Sequence, residues 1–120
     1  MTKALRNIFS VNLNVKKSES VLVFTDVPFK GEVVENSDRC RRERLRDIAI
    51  LIAETGKGFC RNILYHEYPA TGSHGAEPPH EIWAMAFGEK AFNELKAQKL
   101  LAPLIKKNAK DSDMRRAEEI

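Results

Sequence analysis

The sequence predicts an α/β fold, a small parallel sheet flanked by helices, and three observations carry that prediction. Two short runs, SVLVFTD at 20–26 and CRNILYHEY at 60–68, are rich in β-forming residues and read as strands. A helical pattern lies between them, of the length that a crossover between parallel neighbours needs. The first run is continuously apolar rather than alternating, as a strand covered on both faces is. With 120 residues, 42% of them apolar and 31% charged, the chain has the size of one domain and is too short for two ordinary ones. A single α/β domain over 1–120 is therefore expected.

Each element follows from local pattern. Ala4, Ile8, Val11 and Val15 repeat at helical spacing, which predicts a helix over 2–13 and a turn over 14–18. The first strand closes on Thr25-Asp26. Asn36 or Ser37 is a suitable N-cap for the next helix, which runs to Thr55 with Leu45, Ile48, Ala49 and Ile52 on one face and Gly56 as its stop. Strand, helix and strand then form one βαβ unit with a right-handed crossover. Pro78-Pro79 cannot sit inside a helix but suits a first turn, so 71–79 reads as a loop at the strands' carboxyl ends and a helix starts near Pro79. Glu77 or Glu81 complements the positive end of that helix. Ile82, Trp83, Met85, Ala86 and Phe87 supply its apolar side, Gly88 interrupts it, and Phe92 and Leu95 resume the pattern. Pro103 marks another break ahead of Leu104 and Ile105, and Ser112 is a cap for the charged stretch that closes the sequence. Two strands rarely suffice to cover an apolar face. An incomplete, clipped domain is predicted, or one completed by a partner, with an exposed edge that invites self-association.

Composition excludes several function classes. The longest apolar stretch, Ile48 to Ala53, is far short of the roughly 20 residues that span a bilayer, so no membrane role is expected. MTKALRNIFSVNLNV lacks the apolar core and cleavage site of a signal peptide, which predicts a cytoplasmic protein. Cys40 and Cys60 cannot build a disulfide framework and fit no zinc spacing. Five arginines fall in RCRRERLR at 39–46, within a net charge of +3, but Asp38, Glu43 and Asp47 are interleaved at helix-pairing distances. That pattern describes a solvated helix face, and no nucleic-acid partner is expected.

His74, Glu77 and His80 are acceptable metal-ligand types, yet they do not form HExxH, and the prolines and glycines around them break the helix such geometry requires. No metal site is assigned. The connection DVPFKGEVVENSD has neither GxGxxG nor a phosphate-binding loop pattern, which excludes a dinucleotide fingerprint. Neither cysteine nor Ser18, Ser20 or Ser37 lies in a nucleophile motif, and no catalytic residue is assigned. In open α/β sheets ligands gather outside the strands' carboxyl ends. The ligand-facing candidates are accordingly Asp26, Arg39, Arg42, His66, His74 and His80.

Read in order, KALRNIFSVNLNVKKSESVLVFTD resembles the opening of the thermophilic metallo-aminopeptidases, the aminopeptidase T or leucyl aminopeptidase-like family, where a helix leads through a V-K-x-x-E-x-V-L-V turn into the first strand. HEIWAMAFGEKAFNELK is similar to that family's helix after the second strand. Ser18 stands where the family often has Gly. The resemblance covers nearly all 120 residues but only the amino-terminal part of such an enzyme. It implies a Rossmann-like N-terminal domain of a dimeric peptidase that removes N-terminal amino acids from peptides. It also implies a C-terminal domain, absent here, that binds divalent metals such as zinc or cobalt through Glu, His, Tyr and Asp. No family ligand falls on a position of this sequence. The expected function is therefore an assembly domain, inactive alone, whose partners are the missing C-terminal domain, a homo-oligomer and, for the whole enzyme, a peptide. The alternative is a stand-alone small-ligand-binding or regulatory α/β module.

Overall fold

The computed structural model describes residues 2–73 and 75–120. Helix α1 spans Thr2–Asn7 and passes into a π-helical turn over Ile8–Asn12; strand β1 (Ser20–Val27), helix α2 (Asn36–Gly56) and strand β2 (Asn62–Pro69) follow. Helices α3 (His80–Phe87), α4 (Glu89–Ala97), α5 (Leu101–Ile105) and α6 (Asp111–Glu118) complete the order. The architecture is mixed α/β, with β1 and β2 parallel in register from Ser20↔Asn62 to Val27↔Pro69. The chain divides into two units, Met1–Gly72 and Ser73–Ile120. No helix among the described residues is long and apolar enough to cross a membrane.

The first unit is the βαβ unit with its leading helix. The helix expected over 2–13 keeps α geometry only to Asn7. Beyond it Leu13 N–H bonds Ile8 O at 2.9 Å, and Val15 N–H reaches Phe9 O at 2.8 Å. These widened turns accompany the burial of Phe9, which is 1% exposed and stacks on Phe59 at a centroid distance of 5.5 Å. The Arg6 guanidinium lies over the Phe59 ring from 5.2 Å. The following turn is closed by Glu19, whose carboxylate accepts the Lys16 N–H at 2.7 Å while its own N–H bonds Lys16 O at 3.0 Å.

Helix α2 departs from expectation at both ends and in its buried face. Neither Asn36 nor Ser37 caps it; both are helical, and Glu35 is the N-cap without a side-chain bond. Gly56 is the last helical residue rather than a left-handed stop. Its hydrogen atom side is filled, because a Cβ there would lie 2.6 Å from Ile63 Cδ1 and 2.8 Å from Phe9 Cζ. Ala49, Ala53 and Gly56 are the buried residues of the helix, while Leu45 and Ile48 remain exposed. Small side chains let the helix backbone come close to its neighbours, and the bulkier apolar residues are turned outward.

In the second unit, Leu95, Leu100 and Leu101 form a buried cluster against which Trp83, Phe92, Leu104, Ile105 and Ala117 pack. Pro79 is the N-cap of α3, as the Pro-Pro entry predicts, and Gly88 at φ 85° separates α3 from α4. Ala86 and Phe87, expected on the apolar side of α3, are exposed. Pro103 does not break the chain. It is the third residue of α5, within the first turn, where a missing N–H costs no helical bond. Ser112 lies inside α6, whose start is instead held by the Asp113 carboxylate accepting Lys110 N–H at 3.1 Å. Segment 71–79 carries no helix or strand among its described residues, as expected of a loop.

Candidate functional site

The carboxyl end of β1 and the first turns of α2 enclose a cleft of about 270 Å³. Asp26, Val27 and Pro28 come from the strand end, Glu32 and Val34 from the connection, and Arg39, Arg42, Glu43 and Arg46 from the helix. The four helical positions are spaced i, i+3, i+4 and i+7, so they share one face. Strand ends in a parallel sheet have this property in general: the polypeptide turns away and leaves room for a ligand.

Two of the three arginines in the cleft are committed to carboxylates of this chain. Arg42 donates through Nη1 to Glu32, whose side chain is only 10% exposed, and through Nε to Asp38 at 3.0 Å. Arg46 donates through Nε to Glu67 at 2.5 Å, and the same carboxylate oxygen accepts the Tyr65 hydroxyl at 2.7 Å. The Tyr65 bond and then the Arg46 guanidinium hold the Glu67 carboxyl below the usual range. Burial, followed by the bond to Glu67, pushes the Tyr65 phenol up to about 12. Arg41 is taken up by Asp38 at 2.6 Å, a contact that lowers the Asp38 carboxyl. The arginine cluster is thus largely an ion-paired helix face. The side chains of Arg39, Glu43 and Asp26 make no hydrogen bond or ion pair with any described residue.

Of the residues singled out in the sequence, the structure brings Asp26, Arg39 and Arg42 to one cleft. His66 is not among them. Tyr65 and Glu67 share the sheet face that meets Arg46, so strand alternation sends His66 to the other face, in register with Phe24. Tyr68 lies on that face too, 6.2 Å from Phe24 between ring centroids; burial and then the Asp26 charge raise its phenol. His80 opens α3 in the second unit, 6.1 Å from the Phe92 ring, and His74 lies outside the described residues. Among the described residues no three His, Cys, Asp or Glu side chains are grouped as a metal site requires. Cys40 is exposed and Cys60 is buried, with its Sγ 3.8 Å from Gly56 O.

Sequence reasoning did not single out Glu32. A lone glutamate in a connecting loop has no periodicity to mark it, and only the fold shows that it meets Arg42 ten residues on. Arg46 had a weak signal, since it lies one turn beyond Arg42 on the same helix face. No family model, curated protein or solved structure matches the chain.

Proposed function

We propose that this chain is the N-terminal assembly part of a leucyl aminopeptidase-like metallopeptidase, a cytoplasmic enzyme that removes N-terminal amino acids from peptides, and that it is inactive alone. The observation that carries the reading is the unfinished sheet. Parallel strands ordinarily belong to larger sheets covered on both faces. Here Phe24 and Leu64, neighbours on the face away from α2, are 43% and 42% exposed. An apolar groove of about 270 Å³ runs beside β1, lined by Ile8, Phe9, Leu13, Ile52 and residues 21–24. Successive strand residues point to opposite faces, so a groove that meets four in a row follows the strand's edge. An open edge beside apolar side chains accepts a further strand.

The turn before β1 adds support. In the V-K-x-x-E-x-V-L-V segment the glutamate is Glu19, and its bond to Lys16 N–H gives that position a physical task. A catalytic domain elsewhere in the enzyme would supply both the missing strand and the metal-ligating residues. The test is to isolate the native polypeptide and assay leucyl peptides with and without chelator. Chelator-sensitive release of N-terminal residues by a protein that continues into a Glu-, His- and Asp-bearing domain supports the proposal. A native protein ending at Ile120 and without that activity overturns it.

One observation favours a second reading, that of a small-ligand-binding module: Asp26, Arg39 and Arg42 line one cleft at the end of a parallel strand.

A further inference from the structure

We propose that the cleft at the carboxyl end of β1 binds a small zwitterion with an apolar side chain, an α-amino acid or the ends of a very short peptide. The inference rests on the second reading above and names its ligand. Its ground is the charge left over once the internal ion pairs are assigned. The cleft carries Arg39, Arg42 and Arg46 against Glu32 and Glu43, while Asp26 lines it from the strand end with its side chain on the Phe24 and Tyr68 face. Glu32 and Asp38 occupy Arg42, and Glu67 occupies Arg46, so these two walls are neutralised and fixed in orientation. What remains on the helix wall is one guanidinium, Arg39, and one carboxylate, Glu43, neither side chain hydrogen-bonded or ion-paired to a described residue.

Unpaired groups of both signs beside one cavity select against a simple anion, which Glu43 repels, and against a simple cation, which Arg39 repels. A ligand bearing both charges satisfies both. Arg39 presents the fork that takes a carboxylate through two parallel N–H bonds. Glu43, one helical turn on, accepts from an ammonium. Val27, Pro28 and Val34 are the apolar part of the lining. A cleft of about 270 Å³ suits a molecule smaller than the drug-sized ligands that fill pockets of roughly 300–1,000 Å³. An open site offering a few charge-assisted bonds should bind at about millimolar Kd.

The experiment is a titration of the full chain, followed by amide chemical shifts, with four probes: L-leucine, isocaproate, which lacks the ammonium, isoamylamine, which lacks the carboxylate, and orthophosphate. L-Leucine should saturate, with shifts at residues 26–28 and 39–46. Isocaproate and isoamylamine should each bind about tenfold more weakly, and Arg39→Gln and Glu43→Gln should each weaken leucine binding by about the same factor, the change that one lost charged contact of 1.4 kcal/mol makes. Both substituted residues are exposed, and circular dichroism checks that each variant folds. Saturation by isocaproate or phosphate as tight as that by leucine, abolished by Arg39→Gln, overturns the zwitterion while keeping the cleft as a ligand site. No saturation by any probe up to about 50 mM, far above a millimolar Kd, overturns the ligand class and the binding-module reading together.

Discussion

Replacing Gly56 by alanine sets two known effects against each other, and the structure decides between them. Gly56 is helical, so Ala should stabilise the helix by up to about 1 kcal/mol through propensity alone. The added Cβ, however, would lie 2.6 Å from Ile63 Cδ1, 2.8 Å from Phe9 Cζ and 2.9 Å from Phe9 Cε1. The end of the Ile63 side chain can turn aside. The Phe9 ring cannot, because it is almost fully buried and stacked on Phe59. Overpacking of a filled core costs about 1–3 kcal/mol, which set against the helix gain leaves a net loss of about 1 kcal/mol at the middle of that range. With a urea slope of about 1–2 kcal/mol per molar, the midpoint should fall by about 0.5–1 M. Gly58→Ala is the control: its Cβ would meet nothing nearer than Thr55 O at 3.6 Å, and it should be neutral or mildly stabilising. Combining Gly56→Ala with Phe9→Leu should cost less than the two single losses added, since the shorter side chain vacates the contested space. A Gly56→Ala protein as stable as the parent, or more so, would refute the claim that close packing fixes this glycine.

The Tyr65–Glu67–Arg46 contact should show at both ends of the pH range. The folded-state carboxyl of Glu67 is lowered, so its contribution is present above the ordinary carboxylate range and lost as acid carries the pH down through the lowered value; Glu67→Gln should flatten that part of an unfolding-versus-pH curve. Tyr65 is raised to about 12, so its contribution is intact below the ordinary phenol value near 10 and is lost as pH rises toward 12; absorbance titration of Tyr65→Phe against the parent should remove that late ionisation. Lys99 and Lys107 both end helices in the left-handed region, at φ 58° and 57°. Lys99→Gly should raise stability by about 1 kcal/mol in urea melts, whereas Lys107→Gly should gain less because Lys107 Nζ also holds Gly75 O at 2.6 Å and Glu77 at 3.3 Å. Duplex DNA should bind weakly and detach at physiological salt in a filter or anisotropy assay, because Arg41, Arg42 and Arg46 already face carboxylates; submicromolar binding there would contradict the pairing.

The parts of the fold legible in the sequence are those where side-chain type alone reports the element, and the parts that were not are those where backbone proximity decides. SVLVFTD and NILYHEYP announce a parallel pair through their β-branched and aromatic content, and both lie within a residue or two of the expected spans, but the cover expected on both faces is missing, since neither strand has a buried residue and Phe24 and Leu64 are exposed. The contact face of α2 was hidden because periodicity rewards large apolar residues. Leu45 and Ile48 carry the pattern, while Ala49, Ala53 and Gly56 carry the contact. Pro103 and Ser112 mislead for a related reason. Each residue has a conformational preference, but whether it starts, breaks or merely occupies a helix depends on where the neighbouring turns close. The site shows the same division. Arg39 and Arg42 could be placed near a strand end from helix phase, and Asp26 from strand length. That Glu32 folds back to take Arg42 is a tertiary event with no local signature, and it separates a general basic patch from a cleft in which the Arg39 side chain has no carboxylate partner among the described residues. The exposed Leu45, Ile48 and Leu51 of α2, together with Phe24 and Leu64 on the sheet, are then best understood as one kind of evidence. These apolar side chains are spaced for burial, and the fold leaves them open while it pairs Arg41, Arg42 and Arg46 of the arginine face with carboxylates of its own.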